Sequence, residues 1–136
     1  MARILTEPLA RALIVESPHQ SLDQYLMEMN ITPQRVDKVA SDQALIDAIR
    51  AHEAQILFKR SRVPVSPEVV AACPSLHVVQ LCCIGSDSVD LNACAEHGVM
   101  VFNDPVSNGR SVVELAVGHL VALSRRLYET DLSTHQ

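Results

Sequence analysis

Three short polar stretches in this 136-residue chain combine residue types that can hold an anion. The first is Lys59-Arg60-Ser61-Arg62, with three positive charges in four residues. Guanidinium groups grip carboxylate or phosphate through two parallel hydrogen bonds, so the cluster is a candidate anion site. Charge clusters of this kind are also common as plain solvated turns. The second is Cys82-Cys83-Ile84-Gly85-Ser86-Asp87-Ser88-Val89-Asp90, which holds the only glycine in the first 97 residues. A turn between a strand and a helix offers backbone N–H groups, and those of Ile84 and Gly85 could hold a carboxylate. Gly85 serves a simple turn equally well, and both readings stay open. The third stretch is Asn103-Asp104-Pro105-Val106-Ser107-Asn108-Gly109-Arg110-Ser111, running into a helix start, which also favours anions. Ser111 and Glu114 alone account for it as a capping box.

Other chemistry is absent from the pattern. The chain has no G-x-G-x-x-G and no phosphate-binding P-loop. The turn Glu16-Ser17-Pro18-His19-Gln20 has no glycine to admit a pyrophosphate, no Ser/Thr/Gly-rich flavin loop and no acidic cluster of the phospho-accepting kind. His19, His77, His97 and His119 read as surface or packing residues. Cys73, Cys82, Cys83 and Cys94 form no C-x-x-C pair and have no histidine at metal-ligand spacing, so they read as reduced thiols of a cytoplasmic protein. A vicinal Cys82–Cys83 disulfide is the remote alternative. A net charge of −5, with acids and bases interspersed, argues against nucleic acid and membrane surfaces as partners. No apolar run reaches the roughly 18 residues of a membrane span. The first residues lack the apolar core of a signal peptide.

The elements that must position these stretches alternate regularly. Apolar runs at residues 12–15, 35–39 (weaker, at a sheet edge), 56–58, 76–81 and 99–102 read as strands. Between them lie helical patterns. Ser21 with Gln24 opens the first, with Leu22, Tyr25, Leu26 and Met29 at helical spacing and Asn30 at its end. Ser41 caps the second, with Leu45, Ile46 and Ile49 on one face. Ser66-Pro67 opens the third. Asp90 caps the fourth, which Gly98 ends. Strict alternation of this kind predicts an α/β fold: a flavodoxin-like parallel sheet with helices on both faces. All three polar stretches then fall at one edge of the sheet. A last helix, residues 111–128, is apolar around most of its circumference. One small sheet cannot cover it, so it predicts burial against another domain or a second copy.

In its motifs the chain resembles the D-isomer-specific 2-hydroxyacid dehydrogenases. The resemblance rests on Arg60-Ser61-Arg62, on Cys83 through Leu91, on Gly98-Val99-Met100-Val101-Phe102-Asn103-Asp104-Pro105, and on Ser107 through Leu115, in the family's order. It implies NAD-dependent oxidation of a small anionic 2-hydroxy acid, with enzymes of serine biosynthesis that act on a phosphorylated substrate nearest within the family. It makes residues 10–108 an incomplete substrate-binding domain of a two-domain enzyme. Residues 109–128 become a helix leading to an NAD-binding domain and contributing to a homo-oligomer, and residues 129–136 a polar tail. By the same resemblance Arg60, Ser61 and Arg62 hold the phosphate end, Ile84 and Gly85 the carboxylate, and Asn108, Ser111 and Val112 face the cofactor. The family's dinucleotide motif, its catalytic Arg, Glu and His, and the closing strand and helix of its substrate domain fall beyond Gln136. No catalytic residue is therefore expected in this chain, and the chain alone is expected to bind no NAD and to be inactive. The alternative is a truncated homologue that acts as an interaction module through residues 111–128.

Overall fold

The computed structural model describes residues 7–107 and 109–126. The chain divides at Asp104 and Pro105 into two compact units. The first holds five strands and four helices in alternation: β1 (Arg11–Val15), α1 (Ser21–Glu28), β2 (Thr32–Val36), α2 (Asp42–Ala51), β3 (Ile56–Lys59), α3 (Pro67–Ala72), β4 (Val78–Leu81), α4 (Leu91–Glu96) and β5 (Met100–Phe102). The second holds α5 (Gly109–Ser124).

All strand pairs are parallel, in the order β2-β1-β3-β4-β5. The parallel pairing is what the alternation predicts, and the order is that of flavodoxin-like sheets. Side chains of a strand alternate between faces, so each strand splits its apolar residues between two layers. Leu13, Val15, Leu57, Val79 and Leu81 join Leu45, Ile46 and Ile49 of α2, Val69 and Val70 of α3, and Ala93 and Cys94 of α4 in the larger core. Ala12, Ile14, Ile56 and Val78 meet Leu26 of α1 in a smaller one. Helices thus cover both faces, unequally.

Local signals explain most boundaries. Ser41 Oγ accepts from Ala44 N at 3.2 Å. Ser66 Oγ accepts from Val69 N at 3.4 Å ahead of Pro67. Asp90 Oδ1 accepts from Ala93 N at 2.8 Å. Each satisfies an otherwise unpaired first-turn N–H group. Asn30 (φ 60°) and Gly98 (φ 69°) end their helices in the left-handed region.

Three expectations need correction. β2 begins at Thr32, three residues before the predicted start, and includes Pro33. Thr32 N–H points at β1, donating to Ala10 O, so the next nitrogen faces outward from an edge strand, where proline costs no hydrogen bond. Ser21 is not a cap. His19 Nδ1 accepts from Ser21 N at 3.2 Å, and Gln24 bonds Glu28 along the helix instead of reaching back. Ser111 lies inside α5, and Glu114 pairs with Arg110 at 2.7 Å, so the second capping box does not form. Asn108 and residues 127–136 lie outside the described residues.

Candidate functional site

Parallel strands end together, so their following turns gather along one edge of the sheet. Sequence order reverses between β1 and β3, since β2 lies on one side of β1 and β3 on the other. Open parallel sheets bind ligands in the crevice at such a switch point. Here the crevice is a cleft of about 550 Å³, lined by Glu16 and Ser17 after β1, Asp37 and Lys38 after β2, and Arg60 and Arg62 after β3.

The arginine turn is held from below. Glu16 spreads its carboxylate across two backbone amides, accepting from Arg60 N at 2.7 Å and from Arg62 N at 2.6 Å. Glu16 and Ser17 both adopt left-handed φ values, 61° and 50°, which side-chain-bearing residues rarely take. An anion could have used those two amides; the chain's own carboxylate occupies them, so the guanidinium groups are what Arg60 and Arg62 offer the cleft. Sequence reasoning misses Glu16. A lone acid at a strand end gives no sign of which N–H groups it will meet.

Lys59 is not part of an exposed cluster of three charges. Its side chain is buried, on the face of β3 that carries Leu57. Its Nζ donates to Arg60 O and to Ser88 Oγ, each at 2.6 Å. Burial holds its ammonium below the ordinary lysine value, with the Glu16 carboxylate pulling the other way.

The turn after β4 carries Ile84 and Gly85, both exposed. Asn103 Nδ2, after β5, donates to Ile84 O at 2.8 Å, and Asp104 N donates to Cys83 O at 3.3 Å. The turn's carbonyls are therefore engaged. Among the described residues, the N–H groups of Ile84 and Gly85 reach no protein acceptor. Gly85 is not required for backbone shape. Its φ is not left-handed, and a Cβ there would meet only Asp87 Oδ2 at 3.5 Å, an ordinary contact.

The four cysteines are free thiols, so no Cys82–Cys83 disulfide forms. Burial raises the thiols of Cys73, Cys82 and Cys94, which disfavours thiolate chemistry at each. Ser111 and Val112 lie in the first turns of α5, in the second unit. Among the described residues no group of three or more His, Cys, Asp or Glu could hold a metal ion, and no helix is long and apolar enough to cross a membrane.

The turn after β1 is not built as a dinucleotide cradle. A dinucleotide's pyrophosphate needs a glycine turn opening onto a helix N-terminus. The turn after β1 instead presents Glu16, and His19 fills the start of α1.

The sheet order and the cleft at its switch point are those of a doubly wound α/β protein. The family model for the D-isomer specific 2-hydroxyacid dehydrogenase catalytic domain matches residues 12–136, and the chain belongs to that family. It is 36% identical over 138 residues to D-3-phosphoglycerate dehydrogenase of Escherichia coli K12, covering 100% of this chain and 33% of the relative. A putative D-3-phosphoglycerate dehydrogenase of Schizosaccharomyces pombe is 32% identical over 93% of this chain and 27% of its own length. The chain thus spans about a third of the length of the curated relatives it matches. Among solved structures, the fold matches the TT0316 protein of Thermus thermophilus (TM-score 0.76, 23% identity, 88% of this chain and 38% of that one). It also matches an NAD+-bound 3-phosphoglycerate dehydrogenase of Entamoeba histolytica (TM-score 0.70, 19% identity, 83% and 39%).

Proposed function

We propose that this chain is the substrate-binding part of a D-3-phosphoglycerate dehydrogenase-like oxidoreductase, one that oxidises a phosphorylated 2-hydroxy acid with NAD. The observation that carries the reading is the placement of Arg60 and Arg62 on the cleft at the switch point between β1 and β3. Their guanidinium groups, with Ser61, hold the phosphate. The unpaired amides of Ile84 and Gly85 hold the carboxylate, as charge-assisted hydrogen bonds from backbone N–H groups can. Asn108, Ser111 and Val112 face a cofactor carried by a separate NAD-binding domain, and residues 109–128 lead toward it. The chain alone positions substrate and transfers neither hydride nor proton. A reducing, cytoplasmic setting suits its four free thiols.

Amide chemical-shift titration of the 136-residue chain with 3-phosphoglycerate tests this. Arg60 to Arg62, Ile84 and Gly85 should move while Leu13, Leu57 and Val79 stay fixed. Shifts confined elsewhere, or none at millimolar ligand, would remove the reading. Steady turnover of NAD by the same chain would contradict its non-catalytic part.

A second reading rests on α5. Val112, Val113, Leu115, Val117, Leu120, Val121 and Leu123 are all more than half exposed. An apolar helix left open in this way suits pairing with a second copy. Sedimentation of the chain and of a Leu115→Asp, Leu120→Asp variant decides it: a dimer that the variant dissociates is expected, and a monomer in both cases rejects it.

A further inference from the structure

Lys59 is, among the described residues, the one buried polar or charged side chain. Burying an ammonium is costly, and a methionine would fill the same space without that cost. Packing therefore gives no reason for a lysine here, and its bonds do. Its carbonyl accepts from Cys82 N at 2.7 Å, at the start of the turn that holds Ile84 and Gly85. Its ammonium reaches Ser88 Oγ near the end of that turn and Arg60 O in the neighbouring one. Beyond Ser88 the turn is tied again: Val65 N donates to Ser88 O at 2.8 Å and Asp90 N to Val65 O at 2.9 Å. On the other side of Arg60, the Glu16 carboxylate takes the amides of Arg60 and Arg62. A continuous set of bonds thus runs from Glu16 through the arginine turn and Lys59 to the Ile84-Gly85 turn.

We propose that Lys59 is a positioning residue that staples the arginine turn to the Ile84-Gly85 turn and so sets the spacing at which a ligand with two anionic ends is held. The proposal deepens the substrate reading above and rests on it for the identity of the ligand. The staple itself is independent of any ligand. An ammonium suits the role because one group donates to acceptors on two different turns. Holding both turns before a ligand arrives reduces the ordering cost of binding.

The test uses Lys59→Met, which keeps length and burial but removes the donors, and Ser88→Ala, which removes one acceptor and leaves the lysine in place. Amide exchange of the intact chain reads the staple directly. In both variants the amides of Val65, Val89 and Asp90 should exchange about tenfold faster, with Leu13, Leu57 and Val79 unchanged. Unchanged exchange in the turn overturns the proposal, and so does an equal rise in the strand amides, which would mean general loosening. Binding then reads the spacing. Affinity for 3-phosphoglycerate should fall about tenfold in Lys59→Met while that for inorganic phosphate stays within about twofold, because only the two-ended ligand needs both turns in register. Equal losses for both ligands count against the staple. If the unmodified chain binds neither ligand, the substrate reading fails, and the exchange data still decide the staple.

Discussion

Removing both guanidinium groups, as Arg60→Ala with Arg62→Ala, should weaken 3-phosphoglycerate binding about 30-fold. Both side chains are exposed, so each contact with a phosphate oxygen is screened by water and salt. About 1 kcal/mol per arginine is then the appropriate scale, toward the low end for charge-assisted bonds. Two such contacts give about 2 kcal/mol, or roughly 30-fold in Kd. Glu16 and Asp37 line the same cleft and oppose a dianion, which argues against a larger value. The fold should not suffer, because Glu16 is bonded to the backbone amides of Arg60 and Arg62, and those remain in the variant. Isothermal titration of parent and variant with 3-phosphoglycerate and with glycolate, a hydroxy acid without phosphate, makes the measurement specific. The ratio between parent and variant should shrink toward about 1 M salt, where the screening length falls to about 3 Å. Glycolate affinity should be the same in both proteins. A parent-to-variant ratio near one for 3-phosphoglycerate, or an equal loss for glycolate, refutes the assignment of these arginines to the phosphate end.

Three further outcomes follow from particular contacts. Gly85→Ala should leave the fold intact and raise stability by about 0.4–1 kcal/mol, since its φ is permitted and a Cβ fits, while weakening carboxylate binding at the adjacent amide; a drop in Tm would show that the turn needs glycine after all. Asp90→Ala removes the acceptor of Ala93 N and should cost about 1 kcal/mol in urea unfolding; no change would mean the cap is replaced by water at no cost. The hydrogen bond from Arg35 holds the Asp23 carboxyl below its ordinary value of 3.8, so the pair's stabilisation is present above that value and is lost as pH falls through the lower, folded-state value. Arg35→Ala should therefore be less stable than the parent at neutral pH, and the gap should narrow in acid without closing, since Arg35 also donates to Pro18 O and His19 O; parallel stability curves down to acid pH would sink that assignment.

The sequence reveals much more of the scaffold than of the site. Helix faces and the caps at Ser41, Ser66 and Asp90 can be read because each depends on residues within four positions of one another, and parallel pairing follows from the alternation of strand and helix. The start of β2 is harder to place because Pro33 looks like a strand breaker until its nitrogen is known to face away from β1. Ser21 fails as a cap because the helix starts one residue earlier, with Gln20 at the cap position, and the Ser21 hydroxyl meets the imidazole of His19 instead, a pairing that no propensity encodes. The sequence does place Arg60, Arg62, Ile84 and Gly85 on turns that follow strands, as the structure has them; their roles are the proposal above. Lys59 reads as one more surface charge, since a lysine beside two arginines looks solvated. Only strand parity, which turns its side chain to the same face as Leu57, reveals that it is buried. Glu16 gives no signal because its partners lie more than forty residues away.

The turns after β3 and β4 are each braced by a residue from another strand's end, and the bracing decides which of their groups remain free to bind. Glu16, one residue past β1, takes the amides of the turn after β3. Asn103, one residue past β5, takes a carbonyl of the turn after β4. Lys59, the last residue of β3, joins those two turns. These contacts use up a carboxylate, a carboxamide and an ammonium that could otherwise have faced a ligand. The pair of guanidinium groups and the two N–H groups of Ile84 and Gly85 stay available as donors, with Asp37 and Lys38 also on the cleft. With Glu16 and Lys59 committed to structure, the donors that remain suit the proposed gripping of an anion with two ends. Glu16 could act as a base only by releasing the arginine turn it holds.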